Sequence, residues 1–273
     1  MTQDQPGQRP QIDISVASIA RIYDYWLGGK DNFKADREAA ELMIQQYPDI
    51  DTGVRKNRAF LNRAVHYLAA EAGIRQFLDI GSGIPTASNV HQVAQDTAAG
   101  ARVVYADADD VAVAHSRLML EDNPVATIIQ ADLREPTKIL ADPETQLLLD
   151  FTQPVAVLLV AVLHFIPDAD HPHQIVATLR DALPPSSYLV ISHACRDAMP
   201  DVLSAAETVY KSRVASQGRA RTREEIARFF QGFTLIDPGL VWMPQWRPDR
   251  PEDVPGHPEK FWFLAGVGQL DQR

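Results

Sequence analysis

A short strand that ends in two closely spaced glycines constrains the fold of this chain more than any other feature. Residues 77–83 read Phe-Leu-Asp-Ile-Gly-Ser-Gly, an apolar run that stops at a turn. Glycine has no Cβ and tolerates positive φ, so backbone amides in such a turn can approach a ligand closely. Apolar residues at Val90, Val93 and Ala94 then recur at helical spacing, with Thr86 as the predicted N-cap. The segment therefore predicts a strand, an open glycine turn and a helix.

Apolar runs rich in β-branched residues alternate with helical patterns along the following chain. This alternation predicts an α/β fold with a mainly parallel sheet and helices on both faces. A terminal hairpin is predicted from the two last apolar runs, which a Pro-rich loop joins. The predicted strands are residues 75–80, 101–106, 125–131, 155–163, 187–192, 233–243 and 260–267. The predicted helices are residues 111–120, 136–140, 172–183, 201–214 and 224–230, the last with a Thr222–Glu225 capping box.

The region before the glycine turn is helical. Residues 1–15 are polar, and we expect a flexible arm there. Three helices are predicted in residues 16–73, including residues 34–46 and a long last helix that stops at Gly73. We expect residues 16–273 to form a single domain, in which residues 16–73 are a helical cap and residues 74–273 the core.

Composition excludes several classes of protein. The net charge of −10 disfavours a nucleic-acid groove, which needs a basic surface. Cys195 is the only cysteine, which excludes an intramolecular disulfide and a multi-cysteine zinc site, and we expect no metal. The longest apolar run has nine residues, against the roughly 20 of a bilayer-spanning helix. The polar first ten residues lack the apolar core of a signal peptide. We expect a cytoplasmic protein that binds neither membrane nor nucleic acid, and the oligomeric state stays open.

Polar residues follow each of the central predicted strands. In an open parallel sheet, ligands bind beyond the carboxyl ends of the strands, at the point where the strand order reverses. Here these ends carry the glycine turn, residues 107–109, residues 132–133 and residues 163–164. We therefore expect the binding site among them.

The spacing of the glycines separates two kinds of nucleotide site. A nicotinamide-dinucleotide fingerprint has glycine at its first, third and sixth positions. Gly81 and Gly83 fit the first two, but the sixth is Thr86. A nucleoside without pyrophosphate needs fewer backbone amides to bind phosphate. Its binding site requires one carboxylate for the ribose hydroxyls and another near the base. Asp107 and Asp132 are placed for these two roles.

The same motifs resemble those of class I S-adenosylmethionine-dependent methyltransferases. The resemblance lies in residues 77–83, in Val-Val-Tyr-Ala-Asp at 103–107 and in Ala-Asp-Leu at 131–133. A narrower resemblance is to a bacterial family of largely uncharacterised S-adenosyl methyltransferases, and it covers about residues 15–267. Its motifs are residues 21–33, Ile-Pro-Thr at 84–86, residues 160–165 and residues 184–193. Pro85 departs from the broad class, in which a third glycine is usual there.

This resemblance implies a fold, a cofactor and a set of binding residues. The fold is a Rossmann-like sheet of seven mainly parallel strands with helices on both faces, a C-terminal hairpin and the N-terminal helical cap. The cofactor is S-adenosyl-L-methionine. By this resemblance the methionine moiety is bound by Asp79, Gly81, Ser82 and Gly83. Asp107 binds the ribose hydroxyls and Asp132 the adenine amino group. A lid over the cofactor is formed by Tyr23, Lys30, Asp31 and Asn32, and its carboxylate is clamped by Asn57 and Arg58. Ala108, Leu133, Ala161 and Leu163 complete the predicted cofactor wall.

The implied activity is methyl transfer to an unidentified acceptor, which we expect to be a small molecule. His164 is the candidate general base for an acceptor that must lose a proton. Simpler roles stay open: His164 as a hydrogen-bonded residue at a strand end, Asp132 as a helix cap or a partner of Arg134, and residues 23–33 as a cover of the core. A non-catalytic sensor that binds S-adenosylmethionine is the alternative function, and an NAD(P)-dependent oxidoreductase is disfavoured by Thr86.

Overall fold

The glycine turn lies in the middle of a mixed β-sheet. The computed structural model describes residues 13–86, 88–198 and 218–271. Within these ranges the strands are β1 (Gln76–Ile80), β2 (Arg102–Asp107), β3 (Ala126–Gln130), β4 (Ala156–Val160), β5 (Tyr188–Ala194), β6 (Phe233–Leu235), β7 (Val241–Trp242) and β8 (Phe263–Leu270). Their order is β3-β2-β1-β4-β5-β8-β6, and β7 pairs with β8 beside β6.

Strands β1 to β5 are parallel, and β8 runs antiparallel to β5. The chain goes outward from β1 to β3 and then returns to place β4 on the other side of β1. The carboxyl ends of β1 and β4 therefore flank the point where the strand order reverses, which is where open α/β sheets bind ligands.

Helices cover both faces of the sheet. They are α1 (Ile19–Trp26), α2 (Lys34–Gln46), α3 (Ile50–Ala70), α4 (Val90–Thr97), α5 (Asp110–Leu120), α6 (Pro136–Ala141), α7 (Pro143–Leu148), α8 (Pro172–Asp181) and α9 (Arg223–Ala227). One apolar cluster packs α3 and α4 against Phe77, Val103 and Leu158. The other packs α6 and α8 against Leu78 and Val157. Successive strand residues thus face opposite layers, as the pleat of a strand requires.

The N-terminal cap has an apolar cluster of its own. Helices α1 and α2 and the start of α3 pack around Met43 and Tyr47, and Trp262 from the core joins them. A buried ion pair between Arg21 and Asp36, with Nε and Oδ2 3.0 Å apart, ties α1 to α2. The cap is thereby held together beside the sheet.

The predicted fold class is confirmed, with eight strands in place of seven. The expected strand 233–243 is split into β6 and β7, because the chain turns at Pro238 and at Gly239, whose φ is +84°. Similarly, β4 ends at Val160, before the predicted residue 163, because Ala161 has a φ of +57°. The antiparallel pairing of β7 with β8 matches the predicted terminal hairpin.

Helix boundaries follow their local caps. Helix α4 begins at Val90 and not at the predicted Thr86, because Asn89 is its N-cap and the Asn89 N–H donates to Oε1 of Gln92 at 2.8 Å. The predicted Thr222–Glu225 capping box is confirmed, with reciprocal bonds of 2.7 and 3.1 Å. The predicted helix 201–214 and most of the predicted arm lie outside the described residues. None of the helices in the described ranges combines the length and apolar character needed to cross a bilayer.

Candidate functional site

A cavity of about 630 Å³ opens at the carboxyl ends of β1, β2 and β4 and is bordered by the cap. Sites for small molecules and cofactors have about 300–1,000 Å³, so this volume suits one. Twelve of the predicted site residues line it: Tyr23, Asn57, Arg58, Asp79, Gly81, Ser82, Gly83, Asp107, Ala108, Asp132, Leu133 and Ala161. Their proposed contacts with a cofactor stay predictions.

The glycine turn forms one wall of this cavity. Gly81 has a φ of +75°, and a Cβ built on it lies 2.4 Å from Cγ2 of Val162, so a larger residue clashes. Gly83 has a φ of +69°, but no atom lies within 4 Å of its built Cβ. Both positions favour glycine through their backbone conformation. At Gly81, but not at Gly83, the packing of neighbouring side chains also requires glycine.

Asp107 holds the turn in place. Its carboxylate accepts hydrogen bonds from the backbone N–H groups of Gly83 at 2.7 Å and Asp109 at 2.9 Å. Burial raises the pKa of this carboxyl, and the two N–H donors act in the opposite direction. A carboxylate has about four acceptor positions, so Asp107 retains capacity for ligand hydroxyls.

Asp79 is a buried carboxylate beside the same turn, with 4% of its surface exposed. Within the described part of the chain no group donates a hydrogen bond to it. Burial raises the pKa of this carboxyl to about 7; the charge of Asp107 acts in the same direction, and the charge of Arg58 acts against it. A buried charge of this kind is stable only when it is paired. Asp79 is therefore suited to receive a cationic group of a ligand.

Three further polar atoms at the cavity wall have no partner among the described residues. These are Oδ1 of Asn57, Nε of Arg58 and Oγ of Ser82. Nη2 of the same guanidinium donates to Oγ1 of Thr86 at 2.8 Å. Nδ2 of Asn57 donates to the hydroxyl of Tyr23 at 3.0 Å. Buried polar groups are usually satisfied, so this cluster indicates that a polar ligand completes it.

Asp132 is paired within the protein. Nε of Arg134 donates to both of its carboxylate oxygens at 3.0 Å, and Arg134 also lies 3.7 Å from Asp170. The alternative that Asp132 is a partner of Arg134 is therefore confirmed. Asp132 still lines the cavity, so the pairing leaves its oxygens near a ligand.

The sequence did not indicate Ser18, a further cap residue that borders the cavity. The hydroxyl of Ser18 donates to the carboxylate of Asp109, and the Ser18 N–H donates to Oδ1 of Asp36 at 2.8 Å. Ser18 immediately precedes α1, and that position alone predicts at most a helix cap. Its bond to Asp109 joins residues 91 positions apart, which a local pattern does not reveal.

The structure places the predicted lid turn elsewhere. Nδ2 of Asn32 donates to the buried Asp24 at 2.8 Å, and the N–H of Asp31 donates to the same carboxylate at 3.0 Å. Oδ1 of Asn32 accepts from Arg37 at 3.1 Å. Asn32 is thus used in fixing the turn and is not among the residues of the cavity wall. Within this segment Tyr23 is the predicted lid residue that reaches the cavity.

Leu163 and His164 also lie away from the wall of this cavity. Because the chain turns at Ala161, Leu163 is fully buried in the core, where it packs with the cluster around α8. His164 borders a second, smaller cavity of about 70 Å³. Burial and the nearby charge of Arg221 lower the pKa of His164 to about 3. The imidazole is therefore neutral at physiological pH and a weak base.

Comparison with known proteins relates this geometry to one family. A family model described as S-adenosyl methyltransferase matches residues 5–271. A crystal structure from Thermobifida fusca YX, with a provisional methyltransferase assignment, is 39% identical and has a TM-score of 0.91, covering 96% of this chain and 98% of that chain. A DUF574 family protein from Streptomyces avermitilis MA-4680 is 40% identical and has a TM-score of 0.91, covering 95% and 100%.

A more distant structure shares the fold alone. Human N-acetylserotonin methyltransferase in complex with SAM is 13% identical, with a TM-score of 0.50 and coverage of 86% of this chain and 57% of that chain. No protein of curated function matches the sequence.

Proposed function

The chain belongs to the S-adenosyl methyltransferase family, and on that premise we propose that it transfers the methyl group of S-adenosylmethionine to a small-molecule acceptor. The observation that carries this proposal is the unsatisfied polar cluster beside the glycine turn. Arg58 and Ser82 each present a buried polar atom to this cavity without a partner in the described chain, and Asp79 adds a buried carboxylate whose pKa is raised to about 7. A ligand that carries both hydrogen-bond donors and hydrogen-bond acceptors would satisfy these groups.

The methionine end of the cofactor fits this cluster by charge. Its ammonium group is a partner for the Asp79 carboxylate, and its carboxylate is a partner for the Arg58 guanidinium. Hydrogen bonds between charged groups are about twice as strong as neutral ones. The Ser82 hydroxyl lies at the same wall and can bind either group.

The nucleoside end fits the next two strand ends. Asp107 has free acceptor capacity for the ribose hydroxyls while it holds the glycine turn. Asp132, Ala108 and Leu133 follow on the same side of the cavity, where we place the adenine ring. Asp132 accepts the adenine amino group in this assignment while it stays paired with Arg134.

The bound cofactor supplies a methyl group activated by its sulfonium, and the acceptor supplies the nucleophile. The task of the chain is to align these groups and to exclude water, which accounts for much of the rate in such reactions. The glycine turn allows the backbone to approach the bound cofactor closely. The contact between Ser18 and Asp109 joins the cap to the end of β2 at the wall of the cavity.

The pKa of His164 disfavours the role of general base. A group with a pKa of about 3 holds a proton poorly at neutral pH, and efficient bases have a pKa nearer the working pH. We propose instead that the neutral imidazole binds the acceptor through a hydrogen bond. An acceptor that is already deprotonated, or that loses its proton to water, needs no stronger base.

Two measurements test the proposal. Calorimetry of the purified chain should show one S-adenosylmethionine bound per chain, and a folded sample that binds none would overturn it. Incubation of the chain and labelled cofactor with a cell extract should transfer the label to a small molecule. Binding without transfer in active extracts would favour the sensor alternative. Binding of NADPH in place of S-adenosylmethionine would favour the oxidoreductase.

A further inference from the structure

The smaller cavity of about 70 Å³, here called the side pocket, has three unpartnered polar groups in its wall. They are Nε1 of Trp26, the hydroxyl of Tyr47 and Nδ1 of His164, which have no hydrogen-bond partner in the described part of the chain. These side chains are only 6%, 5% and 7% exposed. Leaving one buried polar group unsatisfied costs about 1–3 kcal/mol. Three around one small space indicate that a ligand satisfies them.

Four further aromatic side chains, Tyr23, Phe165, Trp262 and Phe263, stand in this wall beside aliphatic ones. The rings of Tyr47 and Trp262 lie 4.6 Å apart, and Phe263 meets His164 edge to face at 5.4 Å. Phe165 packs on the other side of His164 at 4.2 Å. Aromatic walls favour a flat aromatic guest, which makes stacked or edge-to-face contacts with them.

The described residues that line the side pocket present no unpaired charge to a ligand. Among them Arg219 is the one cationic side chain, and it is paired with Asp168 and with Glu225. His164 is neutral because burial and Arg221 lower its pKa. A charged guest would lose its hydration without gaining a counter-ion, which is costly. The pocket therefore selects a neutral compound.

The side pocket adjoins the cofactor cavity. Ile19, Tyr23, Ala161 and Phe165 line both. A cavity that holds benzene has about 150 Å³, so the side pocket accommodates one end of a ring and the remainder extends past Ala161 toward the cofactor. The indole N–H of Trp26 only donates, so the buried end of the guest must carry an acceptor atom.

We propose that the side pocket anchors the methyl acceptor, and that this acceptor is a neutral aromatic compound with a hydrogen-bond-accepting oxygen at its buried end and a nucleophilic substituent at the other. This inference rests on the proposed methyl transfer for its role, but the pocket and its ligand class are testable separately. It also gives the three unpartnered polar groups a common purpose.

Fluorine NMR of three small probes tests the ligand class. We use 4-fluorophenol, which is neutral and has the oxygen, fluorobenzene, which lacks it, and 4-fluorobenzoate, which is charged. Each is titrated into the full chain with and without S-adenosylhomocysteine. We expect 4-fluorophenol to bind at least about tenfold more tightly than either other probe, the effect of one hydrogen bond worth about 1.4 kcal/mol. Equal binding of the three probes, or no binding of the phenol, would overturn the inference.

Single-group substitutions test the location. Trp26→Phe and Tyr47→Phe each remove a polar atom and retain a ring, and we expect about a tenfold loss of 4-fluorophenol affinity in both. Trp246→Phe is the matched control, because Nε1 of Trp246 is also buried and unpartnered but lies outside both cavities. It should change the affinity less than about twofold. An equal effect of all three, or none, would contradict the location.

Calorimetry with S-adenosylhomocysteine on the same samples separates the two proposals. Retained cofactor affinity in the Trp26 and Tyr47 variants shows that they are folded, and a loss of phenol binding is then specific to the side pocket. If the wild-type chain binds 4-fluorophenol selectively but does not bind S-adenosylhomocysteine, the proposed function is contradicted and the proposed ligand class of the side pocket is supported. If it binds the product but does not discriminate among the probes, only the pocket inference fails.

Discussion

The carboxylate of Asp107, at the end of β2, accepts a hydrogen bond from the backbone N–H of Gly83 at 2.7 Å. This bond joins two neighbouring strand ends across the cavity wall. It fixes the glycine turn before any ligand arrives, which reduces the conformational cost of binding. A residue assigned to ribose binding is therefore also a structural support of the site.

Asp107→Ala should weaken both stability and cofactor binding. Two partly buried N–H groups lose their acceptor, so we expect about 1–3 kcal/mol less unfolding free energy. The affinity for S-adenosylhomocysteine should fall about a hundredfold, since two charge-assisted bonds to ribose are lost as well. Urea denaturation and calorimetry measure the two effects.

The control for Asp107 is Asp142→Ala. Asp142 also accepts a backbone N–H, that of Glu144 at 2.9 Å, but it caps α7 away from the cavity. Its loss should lower stability by about 1 kcal/mol and leave cofactor affinity unchanged. Equal cofactor affinities in the two variants would remove Asp107 from the binding site.

Asp79→Asn should stabilise the cofactor-free protein at pH 8 while it weakens cofactor binding. The folded pKa of Asp79, about 7, lies above the usual 3.8, so the folded carboxyl binds its proton more tightly. Its contribution is present at low pH and is lost as pH rises from about 4 to 7. Removing the charge should therefore gain about 1–3 kcal/mol at pH 8 and almost nothing at pH 4.

Urea denaturation at pH 4, 6 and 8 measures this difference, and calorimetry at pH 8 measures the affinity for S-adenosylhomocysteine. We expect the affinity to fall at least tenfold, because the ammonium loses its counter-charge. An Asn variant that is less stable than the wild type at pH 8, with unchanged affinity, would contradict the assignment of Asp79.

Ser18→Ala should speed cofactor release. The Ser18 hydroxyl donates to the Asp109 carboxylate and links the cap to the strand end at the cavity border. Hydrogen bonds to charged groups contribute about 1.5–3 kcal/mol when buried, and this one is half-buried, so we expect a three- to tenfold faster dissociation rate. Stopped-flow displacement measures it.

Ser15→Ala is the control for Ser18. Among the residues that the structure describes, Ser15 hydrogen-bonds with Asp13 alone, its hydroxyl lying 2.6 Å from Oδ1 of that exposed side chain. Its dissociation rate should equal that of the wild type. A Ser18 variant that behaves like the Ser15 variant would show that the contact does not retain the cofactor.

Gly81→Ala should destabilise the fold through Val162. The new methyl group would lie 2.4 Å from Cγ2 of Val162, and the φ of +75° disfavours alanine. Together these effects should cost about 3 kcal/mol. Gly83→Ala has the same backbone cost but open space at its Cβ, so about 1–2 kcal/mol is expected there.

A double substitution isolates the clash. Combining Gly81→Ala with Val162→Ala should recover about 1–2 kcal/mol relative to the sum of the single effects. Urea denaturation of the four proteins gives the coupling. Strict additivity would show that Cγ2 of Val162 contributes nothing to the cost at Gly81, since Val162→Ala removes that atom and keeps the Cβ at 2.8 Å.

Much of the fold could be predicted from sequence because the relevant patterns are local. The strand ends, the glycine turn and the carboxylates at Asp107 and Asp132 follow from apolar runs that stop at polar residues. Because parallel strands align their carboxyl ends, such local patterns also predict which residues share a cavity.

The remaining features depend on tertiary contacts. The Ser18–Asp109 bond and the side pocket around Trp26 and Tyr47 bring together elements that no periodicity relates. The predicted role of Asn32 differed because the buried Asp24 takes up the donors of its turn. Likewise, Leu163 lies in the core and not at the predicted cofactor wall. The reason is that the chain turns two residues earlier at Ala161, which has a positive φ although it is not glycine.

The most direct test of the central claim is calorimetric titration of the wild-type chain and of Asp79→Asn with S-adenosylmethionine at pH 8. The account predicts saturable binding of one cofactor per wild-type chain and at least tenfold weaker binding by a variant that is folded and more stable. Equal affinities would contradict the assignment of the buried carboxylate, and the absence of binding to the folded wild-type chain would contradict the cofactor site as a whole.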